Sequence, residues 1–123
     1  MIIFETMKTK LLLLLLSIGL FSCQSEKPYS FDILEEKVYD IPFKTQYHER
    51  LVLNKPITKE GLNQLLQDEF KYAMQKEYKH HPEPTHIFIY VYKEKGDFEK
   101  DGSSWVGMIS RVNGKDEGPQ IRL

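Results

Sequence analysis

The sequence predicts an α+β fold: a two-layer domain in which one amphipathic helix packs on a mostly antiparallel sheet of four to five strands, in the order ββαβββ. Three observations carry this expectation. Residues 58–79 place apolar side chains at the period of a helix. Segments on either side alternate with the period of strands and are rich in Val, Ile, Tyr and Phe. Turn-forming residues, among them Pro42, Pro56, Gly96 and the Asn113-Gly114 pair, separate these segments. A single helix covering a single sheet is one of the few ways to bury both apolar faces.

Residues 35–41 and 48–54 read as the first two strands. In the second, Glu49, Leu51 and Leu53 alternate with Arg50, Val52 and Asn54. Pro42 lacks an amide donor, which limits regular pairing between them. Thr58 then stands as a helix N-cap, with Ile57 and Leu62 spaced for a hydrophobic staple. Leu62, Leu65, Leu66, Phe70, Ala73 and Met74 form one apolar stripe. Lys59, Asn63, Gln64, Gln67, Lys71 and Gln75 take the other side. The helix is expected to end near Lys79, since Pro82 and Pro84 follow.

Residues 87–92 form the best strand. Ile87, Ile89 and Val91 face one way, and Phe88, Tyr90 and Tyr92 the other. Apolar character on both sides predicts a central strand whose aliphatic face meets the helix. A polar loop over residues 93–104 leads to a strand over 105–112. Asn113-Gly114 makes a tight turn, and residues 120–123 return as an edge strand. A right-handed crossover through the helix makes the second and third strands parallel and the sheet mixed. This order, with an aromatic-rich strand after the helix and then a Trp105-Val106-Gly107 strand, is similar to small uncharacterised α+β domains of secreted bacterial proteins. The resemblance spans residues 35–123 and implies a fold, with no catalytic motif to carry over.

The chain has 123 residues, 17 basic and 18 acidic groups, and one cysteine. That length suits one domain. The near-neutral balance lacks the basic excess of a nucleic-acid binder. A lone cysteine excludes an internal disulfide framework and a multi-cysteine zinc site. Most of the average hides a split at that cysteine. Lys8 and Lys10 precede an apolar run from Leu11 to Phe21, a basic region followed by a short apolar one, as in a secretory signal. Eleven apolar residues fall short of the roughly 20 that span a bilayer. Met7-Lys8-Thr9-Lys10 is a more usual signal start than Met1-Ile2-Ile3-Phe4-Glu5, which makes Met7 a candidate start.

Leu20-Phe21-Ser22-Cys23 resembles the lipobox of bacterial lipoproteins, with Leu at −3, a small residue at −1 and Cys at +1. Phe21 departs from the smaller or β-branched residues commoner at −2. The resemblance implies that the Cys23 thiol receives a diacylglycerol, that cleavage precedes it, and that the new amino terminus is acylated. Gln24, rather than Asp, is compatible with the outer rather than the inner membrane, facing the periplasm or the cell surface. The organisation expected is a signal over residues 1–22, a lipidated Cys23 and tether over 23–34, and a globular domain over 35–123. Tyr29 and Phe31, within that tether, are expected to dock on the domain.

Two constellations carry chemistry. His80, His81, Glu83 and His86 offer three imidazoles and a carboxylate within seven residues, a candidate zinc or copper site. The bland alternative is a solvated connector, because Pro82 and Pro84 prevent the helix that aligns such ligands. Phe88, Tyr90, Tyr92 and Trp105 are expected to share the sheet face that one helix leaves uncovered, and such a face marks a partner surface. Within the charged run over residues 93–101, Phe98 is a minor contact candidate. Ser103, Ser104, Gly102 and Gly107 lack the context of a nucleophile elbow or a phosphate loop. The sequence therefore points to a membrane-anchored, non-enzymatic binding domain with no cofactor, a protein partner in the envelope and no nucleic acid. A metal-binding envelope protein is the alternative.

Overall fold

The computed structural model describes residues 27–123. The expected signal over residues 1–22, the expected lipidation site Cys23 and the first residues of the expected tether lie outside them. Five strands and two helices follow one another: β1 (Phe31–Ile41), β2 (Lys44–Leu53), α1 (Lys59–Gln75), β3 (His86–Tyr92), α2 (Lys95–Lys100), β4 (Gly107–Val112) and β5 (Lys115–Ile121). The strands form one sheet in the order β1-β2-β3-β4-β5. Neighbours are antiparallel except β2 and β3, which run parallel, Tyr47 beside Ile87 and Leu51 beside Val91. The expected α+β class, the mixed sheet and the central place of β3 all hold.

Helix α1 makes the parallel pair possible, carrying the chain from the end of β2 back to the start of β3. Thr58 caps it as expected, its hydroxyl accepting from the Gly61 amide at 3.0 Å. Leu62, Leu65, Leu66 and Ala73 are fully buried against Tyr47, Leu51, Ile87, Ile89, Val91 and Ile109, and Phe70 and Met74 pack at the margin. Gly107 lets the helix approach this closely. A β-carbon there would stand 3.1 Å from three carbons of the Leu62 side chain.

Several boundaries differ from expectation, among them β4, which starts at Gly107 rather than Trp105. The sheet begins at Phe31 rather than Glu35, because Phe31 pairs with Leu53 and Asn54 donates to the Ser30 carbonyl at 2.9 Å. A bulge between Ile33 and Glu35 breaks the alternation that would have shown it. Tyr29 and Phe31 do dock: their rings stack at 5.9 Å and pack on the core. The tether is shorter by those residues. β2 starts at Lys44, not His48, since Pro42 and Phe43 fill a two-residue turn and interrupt nothing. A proline suits the first central position of such a turn.

Helix α1 stops at Gln75, a turn early. Asp40 of β1 accepts from the Lys79 and His80 amides, and the Tyr78 hydroxyl donates to the Ala73 carbonyl at 2.7 Å. The long-range bonds to Asp40 and the local one to Ala73 displace the last helical bonds. In the expected loop over 93–104, residues Lys95–Lys100 form the short helix α2. Asn113 and Gly114 take φ of 51° and 76°, the left-handed pair of a type I′ turn. β5 spans Lys115–Ile121, longer than expected. Among the described residues, the strands, helices and core residues lie between Tyr29 and Ile121.

Overpacking a filled core costs about 1–3 kcal/mol. Gly107→Ala should lower the unfolding free energy by about that amount in urea titration. Gly96→Ala, whose β-carbon meets nothing within 4 Å, should leave stability unchanged or raise it by up to about 1 kcal/mol. Equal effects at the two sites would contradict the close approach of α1 to β4.

Candidate functional site

Strand parity divides the side chains between two faces. Thr45, Tyr47, Glu49 and Leu51 of β2 point toward α1, and His48 and Arg50 point to the helix-free side. There His48 lies beside Phe88 and Arg50 beside Tyr90. Phe88 and Tyr90 are half-buried on this face, as the sequence predicts. Their rings lie 6.4 and 5.8 Å from the His48 ring. The imidazole of His86 lies 6.4 Å from Phe88.

Tyr92 and Trp105 correct the expectation of an open four-aromatic surface. Tyr92 is fully buried, because α2 folds over this end of the face. The Phe98 ring meets Tyr92 edge-on at 5.4 Å, and the Tyr92 hydroxyl donates to the Gly102 carbonyl at 2.5 Å. Trp105 lies before β4, is 8% exposed, and is capped by the Arg122 guanidinium 3.4 Å from its ring centre. The charged run thus supplies a lid in place of a solvated hairpin.

Arg50 organises that closed end. Its guanidinium lies 4.8 Å from the Tyr90 ring centre, 5.2 Å from Phe98 and 5.9 Å from Tyr92. It also donates to the Tyr92 hydroxyl and approaches Glu35 at 3.9 Å. An arginine held among aromatic faces is attracted by each ring. The sequence does carry a signal for it: a lone arginine at a position whose parity opposes the buried Leu51. Nearby, burial and then Arg50 hold the His48 imidazole below the usual histidine range, with Glu35 pulling the other way. Its Nε2 is enclosed without a partner.

The histidine-rich connector is taken apart by the fold. His80 Nδ1 meets Asp40 at 3.1 Å, and His81 Nδ1 meets the Thr45 hydroxyl at 2.6 Å. His86 Nδ1 meets the Thr85 hydroxyl at 2.8 Å, and Glu83 faces Arg111 at 3.4 Å. Among the described residues no three His, Cys, Asp or Glu side chains are arranged to hold a metal ion. Asp40 is the hub of the connector. The Lys79 and His80 amides hold its carboxyl down at about 2.

The sequence also conceals a pair of acids on the helix side, Glu49 buried and Glu69 half-buried. Glu49 is 1% exposed, and its Oε2 accepts from the Tyr47 hydroxyl at 2.5 Å. Its Oε1 has no donor unless the facing Glu69 carboxyl of α1 carries a proton. Burial, then the hydrogen bond to Glu49 and its charge, with Asp68 and Glu36 adding to them, push Glu69 up to about 8. A carboxyl that faces another carboxyl away from water holds its own proton more tightly. Lys76 lies over the Tyr47 and Tyr72 rings at 5.8 Å and pairs with Glu36 at 3.3 Å, closing the cluster.

The outer edge of the sheet is the most exposed apolar feature. Ile33 and Tyr39 are each 54% exposed, Phe43 in the turn is 82% exposed, and Val38 and Ile41 are exposed beside them. The opposite edge differs. β5 carries Lys115, Asp116 and Glu117, then Gly118 and Pro119, with a register shift opposite Met108 and Ser110. Charges, proline and irregular register protect an edge from added strands. β1 also carries charges, Asp32, Glu35, Glu36, Lys37 and Asp40, and an early bulge. It differs from β5 in having no proline, in its exposed apolar side chains and in the regular pairing of Glu35 to Ile41 with β2.

Because the folded pKa of Glu69 is raised, its stabilising proton is fully present below about 4.5 and is lost as pH rises through about 8. Unfolding free energy should therefore fall over that window. Glu69→Gln keeps a donor toward Glu49, and should flatten the fall and add roughly 1–2 kcal/mol at pH 9, a figure reduced for solvent screening. An unchanged pH slope would contradict the raised Glu69 carboxyl. Asp40 has the opposite sign: its contribution is present above about 3.8 and is lost as pH falls through about 2. Asp40→Asn should leave the protection of the Lys79 and His80 amides, taken relative to the intrinsic exchange rate at each pH, the same at pH 2 and pH 6, whereas that of wild type should fall on acidification. Comparison with protein families, characterised proteins and solved structures finds no match to this chain.

Proposed function

We propose that the chain is a bacterial lipoprotein anchored through Cys23, and that its α+β domain is a non-enzymatic binding module in the cell envelope. The anchor reading is supported by the basic residues, the short apolar run and the Leu20-Phe21-Ser22-Cys23 motif. No helix among the described residues is long and apolar enough to cross a membrane. Two or more acyl chains give a stable anchor where one gives a marginal one.

The observation that carries the binding reading is the β1 edge, where Ile33, Val38, Tyr39, Ile41 and Phe43 are exposed on one strand and its turn. An unprotected edge recognises an extended segment through main-chain hydrogen bonds, while alternate side chains supply selectivity. The occupant is an extended segment of another protein with apolar side chains at alternate positions. A second copy is the poorer fit. β1 carries Asp32, Glu35, Glu36 and Asp40 against Lys37 alone, and self-pairing brings these acidic rows together. Phe88 and Tyr90 form the adjoining face.

Cells fed a labelled fatty acid should label the wild-type chain and leave Cys23→Ala unlabelled; equal labelling would contradict the anchor. A photo-crosslinking residue in place of Tyr39 or Phe43 should give a discrete adduct with a different protein, and the same residue in place of Glu117 on β5 should give none. An adduct of twice the chain's own mass, or equal yields from both edges, would contradict the edge assignment.

A further inference from the structure

A concave feature lies at the carboxyl ends of β2 and β3. Residues 53–57 leave the carboxyl end of β2, and Lys93 and Glu94 leave that of β3. With Leu123 they enclose a groove of about 430 Å³, within the range of small-molecule sites. The carboxyl ends of parallel strands are where α/β sheets open such crevices. Leu53, Pro56, Ile57 and Leu123 give this one apolar walls, and Lys55 and Lys93 give it a cationic excess over Glu94. That pairing of surfaces fits an amphiphile with an anionic head.

The groove also lies where the chain joins the domain. Asn54, in its wall, donates from its backbone to Ser30 at 2.9 Å. Pro28 lies against the first turn of α1, its carbonyl 3.1 Å from where a β-carbon on Gly61 would stand. Ser30 stands seven positions after Cys23, a reach of at most about 25 Å. Resting on the lipoprotein reading of Cys23, we propose that this groove binds an anionic phospholipid of the membrane that holds the chain. Its phosphate is met by Lys55 and Lys93, and its glycerol and first acyl carbons lie on the apolar walls. The anchor supplies the residence at the surface. The groove orients the domain, turning the carboxyl ends of β2 and β3 toward the headgroups.

The test uses residues 24–123, which contain every described strand and helix, and dioctanoyl phosphatidylglycerol below its micelle concentration, followed by calorimetry and amide chemical shifts. One-to-one binding is expected, with shifts at Leu53, Asn54 and Glu94. Dioctanoyl phosphatidylcholine should bind at least about tenfold more weakly. A Lys55→Gln, Lys93→Gln double variant should lose about tenfold or more of the phosphatidylglycerol affinity, as two lysines near an anionic surface contribute. Both lysines are exposed, so the variant retains its fold. Inorganic phosphate binding as tightly as the lipid would overturn the proposal in favour of a plain phosphate site. It would equally be overturned by equal binding of the two lipids, by the absence of saturation, or by an unaffected double variant. Failure of Cys23 to take up labelled fatty acid, with phosphatidylglycerol binding intact, would remove the anchor and leave the groove standing.

Discussion

The packing of α1 onto the parallel pair β2–β3 is the constraint on which the other features depend. Parallel strands cannot be joined by a tight turn, so a crossover helix between β2 and β3 is obligatory. Leu62, Leu65 and Leu66 fix where that helix lies by closing on Ile87, Ile89 and Val91. Once β3 sits between β2 and β4, β1 is left outermost on one side and β5 on the other. The same arrangement brings the two carboxyl ends together above the groove. It also sets Glu69 of the helix against Glu49 of the sheet.

The two edges were resolved by different means. β5 is shielded within its own sequence by charge, glycine and proline, whereas β1 keeps apolar side chains in water. Leaving them exposed favours association over solubility, a cost that a docking strand offsets. On the helix-free face the covering is partial. Phe98 and Arg50 close one end around Tyr92, and Phe88 and Tyr90 remain at the other beside His48, whose imidazole burial and Arg50 hold below the usual histidine range. A lone arginine among three rings keeps that lid in place without an apolar core of its own.

Much of this was legible before any coordinates. The stripe from Leu62 to Met74, the Thr58 cap, the alternation of Ile87, Ile89 and Val91, and the Asn113-Gly114 turn are local signals, and local signals survive folding. What escaped depends on partners distant in sequence. The early end of α1 requires Asp40, 39 residues upstream, to capture the Lys79 amide. The bulge after Ile33 hid the start of β1 by breaking its period. Tyr92 and Trp105 looked like surface aromatics because nothing in strand alternation reveals that Phe98 or Arg122 will cover them. The histidine cluster was dense in sequence and dispersed in space, as Thr45, Asp40 and Thr85 each took one ring. The Glu49–Glu69 pair had no local mark, since each acid alone reads as surface charge.

The central claim is that β1 presents an open row of backbone groups on a domain whose interior is firmly closed. Native-state amide exchange on residues 24–123 reads this strand by strand. The slowest amides should be those of Ile87, Ile89 and Val91 and their β2 neighbours. Within Glu35 to Ile41, protection should alternate, with amides bonded to β2 protected and the outward ones exchanging nearly as fast as an unfolded chain. Uniform protection along β1 in the free, monomeric domain would mean that the edge is already occupied, and would contradict the account.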